Sequence, residues 1–277
     1  MPLTTTLSAP PRLWQRVWPK PLTSLRGLAR ISLGLLLPAL LLLLWYIAVE
    51  RQWVSPQILP PPSLVLESFT LYARDGLLSE ALLISLERVV LGSAAGIALG
   101  LAFGLLIGLS PTAKAYFWPM FQAIAQVPVL GWIPLLMMLV GIDEALKILV
   151  IAKAVWVPMT VNTVAGIQNI PPSYLEVARV YGLSPWQRLR LVVLPAALPS
   201  IFTGLRFAMT KGWIALVTVE LLASSEGLGY LMVDARQMFQ LDVVIVAMLI
   251  IGLVGLALDK ALARLEQHLH RGQRHAF

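Results

Sequence analysis

The sequence predicts an all-α, polytopic membrane protein with six transmembrane helices. Charged residues make up 13% of the chain and AVILMFWYC residues 58%, whereas a soluble chain carries roughly 25% charge. Mean hydropathy is +0.80. Uncharged apolar stretches recur along the 277 residues, several near the ~20 residues that a helix needs to cross a bilayer. So few charges cannot clothe a water-soluble surface. The apolar composition excludes a disordered chain, and the absence of cysteine excludes a disulfide-stapled secreted domain.

The elements follow in order. Residues 1–30 hold Arg12, Arg16, Lys20, Arg26 and Arg30 with no acid and read as a basic cytoplasmic segment. The charge-free run 31–49 is the first span. It is too long for a signal-peptide core, and Val49, Glu50 and Arg51 make no small-residue cleavage site. Residues 50–87 form an external connector, extended through Pro56, Pro60, Pro61 and Pro62 and then helical at the surface. Further spans are expected at 88–109, 116–141, 147–167, 197–222 and 241–259. The whole membrane domain covers 31–265, with a cytoplasmic loop at 168–195 and a cytoplasmic tail at 266–277.

Lys and Arg orient the chain, because cytoplasmic loops carry their excess. With the N-terminus inside, the cytoplasmic set is the five N-terminal residues, Lys114, Arg179, Arg188, Arg190, Lys260, Arg264, Arg271 and Arg274. Outside lie only Arg51, Arg74, Arg88, Lys147 and Arg236. Both termini are therefore expected in the cytoplasm. These positive charges flank apolar runs and form no stripe, which argues against nucleic-acid binding.

Two spans carry special composition. In the second, Gly92, Gly96, Gly100, Gly104 and Gly108 recur every fourth residue, lining one helix face along which another backbone can approach closely. The third contains Pro119, Pro128, Gly131 and Pro134 beside Gln122 and Gln126. That mixture should break or kink the helix, which is tolerated at membrane depth where the freed backbone is buried or lines a cavity. A pathway-lining role for Gln122 and Gln126 stands beside a plain structural kink.

The loop at 168–195 is the most informative stretch. Ser173 and Glu176 have capping-box spacing, predicting a helix from Tyr174, and Gly182 can take the positive φ that ends it. Ser184, Pro185 and Gln187 then signal a second helix start. A rigid helical knob on the cytoplasmic face suits contact with a soluble partner.

Within this loop, Glu176-Val177-Ala178, three residues, Gly182, nine residues and Val192-Val193-Leu194-Pro195 resemble the E-A-A, three, G, nine, I-x-L-P signature of permease subunits of bacterial ABC importers. Val177 and Val192 depart from it by small apolar changes. Gln126-Val127-Pro128, Val140-Gly141-Ile142-Asp143-Glu144 and Glu226-Gly227-Leu228-Gly229-Tyr230 resemble the sulfonate, taurine and nitrate branch, so that the likeness runs from about residue 37 to 265.

The resemblance implies a type I importer permease fold. It further implies a second copy of this chain, two cytoplasmic ATP-binding subunits and an extracytoplasmic substrate-binding protein. Ser173, Glu176, Ala178, Gly182 and Pro195 would then belong to the coupling segment that meets the ATPase. The residues themselves agree on one point: the chain has no G-x-x-x-x-G-K-[ST] loop, so ATP and its Mg belong on a partner. No catalytic residue and no metal site is expected. All three histidines, His268, His270 and His275, sit in the tail, and the nucleophile turn G-x-S-x-G is missing.

Lys153, Arg206, Lys211 and Glu220 fall inside expected spans, where an ionised group needs a partner or water. Lys211, and after it Arg206 and Lys153, are candidates to help a small anion across. The bland alternative pairs Arg206 or Lys211 with Glu220, or lets them reach a headgroup. A secondary transporter or channel without an ATPase remains the rival class; the supply of intramembrane carboxylates, here Glu220, separates the two.

Overall fold

The structure is a computed structural model that describes residues 25–273. Residues 1–24, most of the expected basic segment, and residues 274–277 lie outside it, as do the side chains of the histidine tail. Every regular element among the described residues is a helix. The chain divides after Val54 into two units. The first contains α1 (Leu25–Glu50), a helix with Pro38 inside and no acid in its first turn.

The second unit begins with α2 (Pro62–Arg74), which starts on Pro62 at a position where the missing N–H costs nothing. Gly76, at φ +80, turns the chain into α3 (Leu77–Leu109). α4 (Pro111–Gln126) and α5 (Val129–Val140) follow, then α6 (Glu144–Gln168), α7 (Pro172–Val180) and the single turn α8 (Pro185–Arg188). A π-helical turn (Leu189–Val193) leads into α9 (Leu194–Ala223), and α10 (Leu228–Gln237) and α11 (Leu241–Gln273) complete the chain.

Among the described residues four helices are long and apolar enough to cross a membrane: α3, α6, the helix that includes α9, and α11. A fifth crossing exists if α4 and α5 count as one span, and α1 adds the apolar helix Leu36–Glu50. The third expected span is thus no straight rod. It breaks at Val127-Pro128, where the two halves meet at 96°, because Pro128 has no N–H to give and pushes Val127 into extended backbone (φ −73, ψ 116). Pro119 and Pro134 are absorbed inside α4 and α5. The second span also starts earlier than expected. Glu80, Glu87 and Arg88 interrupt its hydropathy, yet the helix runs on from Leu77.

α6 lies between α3 and α9, and glycines set the approach on both sides. A Cβ on Gly92 would come within 2.6 Å of Ile151 Cβ, on Gly96 within 2.6 Å of the Ala152 carbonyl, and on Gly100 within 2.5 Å of Met159 Cβ. On Gly104 it would meet Thr163 Cβ at 2.6 Å, and on Gly108 Ile167 Cδ1 at 2.6 Å. No side chain fits there, so the glycine stripe is the contact face. α9 repeats the device with Gly204 against Asn162 and Gly212 against Val155. Ring contacts among Phe103, Phe117, Phe121 and Trp156 hold α4 against α3 and α6.

Candidate functional site

The loop between α6 and α9 folds into a compact knob. Contrary to the capping box expected from Ser173 and Glu176, α7 begins at Pro172, with Pro171 as N-cap and no side-chain cap bond. The two prolines already supply extended entry and a donor-free first position, which leaves the hydroxyl of Ser173 and the carboxylate of Glu176 exposed. The far end closes as a Schellman turn. Gly182 stands at φ +66, its N–H reaches Arg179 O at 2.9 Å, and the Leu183 N–H reaches Ala178 O at 3.1 Å. Ser184 and Gln187 then form a reciprocal capping box on α8: Gln187 N–H donates to Ser184 Oγ at 3.3 Å and Ser184 N–H to Gln187 Oε1 at 2.9 Å.

Pro195 explains the π turn that precedes it. Its ring would collide with the carbonyl four residues back, and widening the helix over Leu189–Val193 removes the clash. Of the knob's coupling candidates only Ala178 is buried, at 2% exposure. Around it Val180 is 86% exposed, Tyr181 79% and Trp186 67%. These three side chains form an exposed apolar patch on the knob.

At the opposite end, where α6 begins and α9 ends, the structure assembles a cluster that pattern reading missed. Arg88 of α3 is 3% exposed and Glu220 of α9 1%. The Arg88 guanidinium donates from Nε to Glu144 Oε2 at 2.7 Å and from one Nη to Glu144 Oε1 at 2.6 Å. Its other Nη reaches Glu220 Oε1 at 2.9 Å, the Glu226 carbonyl at 2.8 Å and Ser224 Oγ at 3.2 Å. Ser85 Oγ lies 2.8 and 2.9 Å from the Glu220 oxygens, and the Gly229 N–H donates to Glu220 Oε2 at 3.0 Å. Lys147 Nζ adds a bond to Glu144 Oε1 at 2.9 Å. The Glu226 carboxylate lies 3.9 Å from Arg88 as a third, exposed acid, so each buried charge of the cluster faces an opposite one.

This cluster corrects the expected pairing of Glu220 with Arg206 or Lys211. On the same helix those residues lie 14 and 9 positions away, about 21 and 14 Å along the axis, out of reach. Arg206 instead forms a two-pronged bridge to Asp259 of α11 at 2.8 and 3.1 Å and lies 3.6 Å from Glu266. Lys153 caps the broken end of α4, donating to Val127 O at 2.6 Å, and lies 5.6 Å from the centroid of the Trp132 ring. Lys211 is exposed, lies 5.4 Å from the Phe207 ring centroid and makes no salt bridge among the described residues. Gln122 and Gln126 are exposed on one face of α4, Gln126 at its end.

Nearby, outside the spans, burial and then the carboxylates of Asp242 and Asp234 push the Tyr72 hydroxyl above its usual pKa range. It stays a donor to Gln240 Oε1 at 3.3 Å. Signals for the Arg88 cluster were present in the sequence as Arg88, Glu220 and the two glycines after Glu226. Nothing in a hydropathy profile joins residues 132 positions apart.

Four long apolar helices, a bent pair and an exposed helical knob among the described residues fit a membrane-embedded transport component, and the chain belongs to the family described as binding-protein-dependent transport system inner membrane component, matched over residues 96–275. It is 40% identical to the putative aliphatic sulfonates transport permease protein SsuC of Escherichia coli over 231 residues, 83% of this chain and 88% of that one. It is 35% identical to the taurine transport system permease protein TauC of Escherichia coli, over 86% of this chain and 88% of that one. Among solved structures it is similar in fold to a chain of the inward-facing MetNI methionine ABC transporter, with TM-score 0.61 and 17% identity, covering 71% of this chain and 97% of that chain.

Proposed function

We propose that this chain is the permease subunit of an ATP-driven ABC importer for a small anionic solute, an aliphatic sulfonate first among them. It works as a homodimer with two cytoplasmic ATP-binding subunits and an extracytoplasmic substrate-binding protein, in a bacterial inner membrane with both termini cytoplasmic. The observation that carries the reading is the knob of α7 and α8. Glu176 is exposed and has no side-chain partner among the described residues, and Val180, Tyr181 and Trp186 stand out around it. The excess of Lys and Arg on the knob's side of the membrane supports the orientation.

ATP and Mg bind the partner subunit; the coupling residues Ser173, Glu176, Ala178, Gly182 and Pro195 transmit its closure through the π turn to α9. Sulfonate is the first choice because relatives named for sulfonates and taurine share 35–40% of residues over most of the chain. Nitrate, bicarbonate and a vitamin precursor are the alternatives. Lys211, exposed and without a carboxylate, is the pathway cation best placed to meet an anion. Arg206, neutralised by Asp259, and Lys153, spent on a carbonyl, are less available.

The rival reading, a carrier without an ATPase, needs a free carboxylate at membrane depth. Glu220 is committed to Arg88, which favours the importer. The deciding test is co-purification with the ATP-binding subunit. Glu176→Arg with Gly182→Arg should abolish it, and retained binding would contradict the coupling role. Uptake measured across sulfonates, taurine, nitrate and bicarbonate in the assembled complex then ranks the solutes.

A further inference from the structure

The Gly227-Leu228-Gly229 turn after α9 reads as flexible, and glycines at an outer mouth invite a moving gate. The structure leaves no room for a side chain at either glycine, and Gly227 has the closest approach among the described glycines. Gly227 stands at φ +100, and a Cβ there would overlap the Glu220 carboxylate and lie 2.9 Å from an Arg88 Nη. A Cβ on Gly229 would come within 2.6 Å of Glu220 Cβ. Both glycines let the backbone fold down onto a buried charge.

The turn is bonded from every side. The Glu226 carbonyl accepts from Arg88, the Leu228 N–H donates to Ser85 Oγ at 2.9 Å, and the Gly229 N–H donates to Glu220. Ser224 accepts from Arg88 as well. Arg88 and Ser85 belong to α3, Glu144 and Lys147 to α6, and Glu220 to α9. Lifting the turn would take from Arg88 the Glu226 carbonyl and Ser224, and from Glu220 the Gly229 N–H, and losing bonds to charges that are buried when the turn is down is unfavourable. The same three helices are joined along their length by glycine contacts.

We propose that Arg88 is a positioning residue for transport: acting through Glu220 and the backbone of residues 226–229, it clamps the external turn 224–229 to the α3–α6–α9 core. The turn rides with that core through the cycle and does not open as a gate. The contrast is the break between α4 and α5, where Lys153 holds a single carbonyl. Arg88 and Lys147, although cationic, face the three carboxylates of Glu144, Glu220 and Glu226 and take no part in binding the anion. The inference rests on the importer reading only for the two nucleotide states used to test it.

The chain has no cysteine, so two spin labels can be placed cleanly at Leu83→Cys on α3 and Ser225→Cys on the turn, both exposed. In the complete importer in lipid nanodiscs, the label distance should be narrow and the same in nucleotide-free and ATP-trapped states. A distance that changes between the states overturns the clamp. Arg88→Gln should broaden the distribution and lose most uptake, with Arg88→Lys recovering part of both; an unbroadened distribution in folded Arg88→Gln also overturns it. If that variant does not assemble, Ser224→Ala, which removes the hydroxyl's bonds to Arg88 and to the Glu226 backbone and leaves the buried pair, should broaden the distribution to a lesser degree, and an unchanged width contradicts the proposal. A wild-type complex that fails to hydrolyse ATP counts against the importer reading instead, and the clamp is then judged on the width in the lone chain with and without Arg88.

Discussion

The two ends of the molecule solve opposite problems. Where α6 begins, Arg88, Glu144, Lys147 and Glu220 turn their charges on one another, and Arg88 and Glu220 are almost fully hidden. At the other end, the knob of α7 and α8 turns Val177, Val180, Tyr181 and Trp186 outward and keeps little more than Ala178 inside. Satisfied and buried groups hold a fold together, whereas rigidly presented but unsatisfied ones wait for a partner. The first end should therefore be sensitive in stability, and the second in assembly.

Breaking the buried pair is the most damaging way to sharpen that contrast. Glu220→Ala leaves Arg88 short of a buried counter-charge and should cost about 3–5 kcal/mol, read as a fall in thermal unfolding temperature of the detergent-purified chain. Replacing both residues together, Arg88→Met with Glu220→Leu, should recover part of the loss, because Glu144 keeps Lys147 and no buried charge is left without a counter-charge, although the Gly229 N–H and the Glu226 carbonyl lose their partners. Equal damage from the double variant would show that the pair is not the source of the effect.

The glycine seam comes next. Gly100→Leu forces a side chain against Met159, whose Cβ would lie 2.5 Å from the new Cβ. Overpacking of this kind costs about 1–3 kcal/mol, and the same stability measurement reads it. Gly252, which has nothing within 4 Å of an added Cβ, serves as the control position.

Two knob variants complete the series. Ser184→Ala removes the observed capping box and should cost about 1 kcal/mol, a local loss visible as faster hydrogen exchange across α8. Val180→Ala should change stability by no more than about 0.5 kcal/mol yet weaken co-purification of the ATP-binding subunit. A stability loss without an assembly defect would erase the distinction between the two ends. In the pathway, Lys211→Met should leave folding and ATPase binding intact and reduce uptake of the anion; normal uptake with unchanged selectivity would remove Lys211 from the pathway.

Much of the fold was legible because hydropathy and small-residue spacing are local signals. The glycines of α3 announce their face by recurring every fourth residue, and Pro128 announces the break before α5. The turn at Gly182 and the cap at Ser184 are equally local. A span's start was harder to place where a helix is charged yet continuous, as α3 is through Glu80, Glu87 and Arg88. The break in the third span was expected from its prolines, but its 96° angle was not. The Ser173–Glu176 spacing misled because two prolines already provide the helix start.

The ion cluster was the least legible part, since its members come from α3, α6, α9 and a turn. Helical rise alone, however, separates Arg206 and Lys211 from Glu220 by more than a side chain's length, so the wrong pairing could have been rejected from sequence. Partner assignment across helices needs the packing that the glycines create, and that packing is a property of the folded chain.

The central claim is that this chain moves solute only as part of an ATP-driven complex. The most direct measurement is uptake of a radiolabelled aliphatic sulfonate into proteoliposomes. One set contains the chain, its ATP-binding subunit and a sulfonate-loaded binding protein; the other contains the chain alone. Uptake that needs internal ATP and all three components is the predicted result. Sulfonate flux through the lone chain, indifferent to ATP, would contradict it.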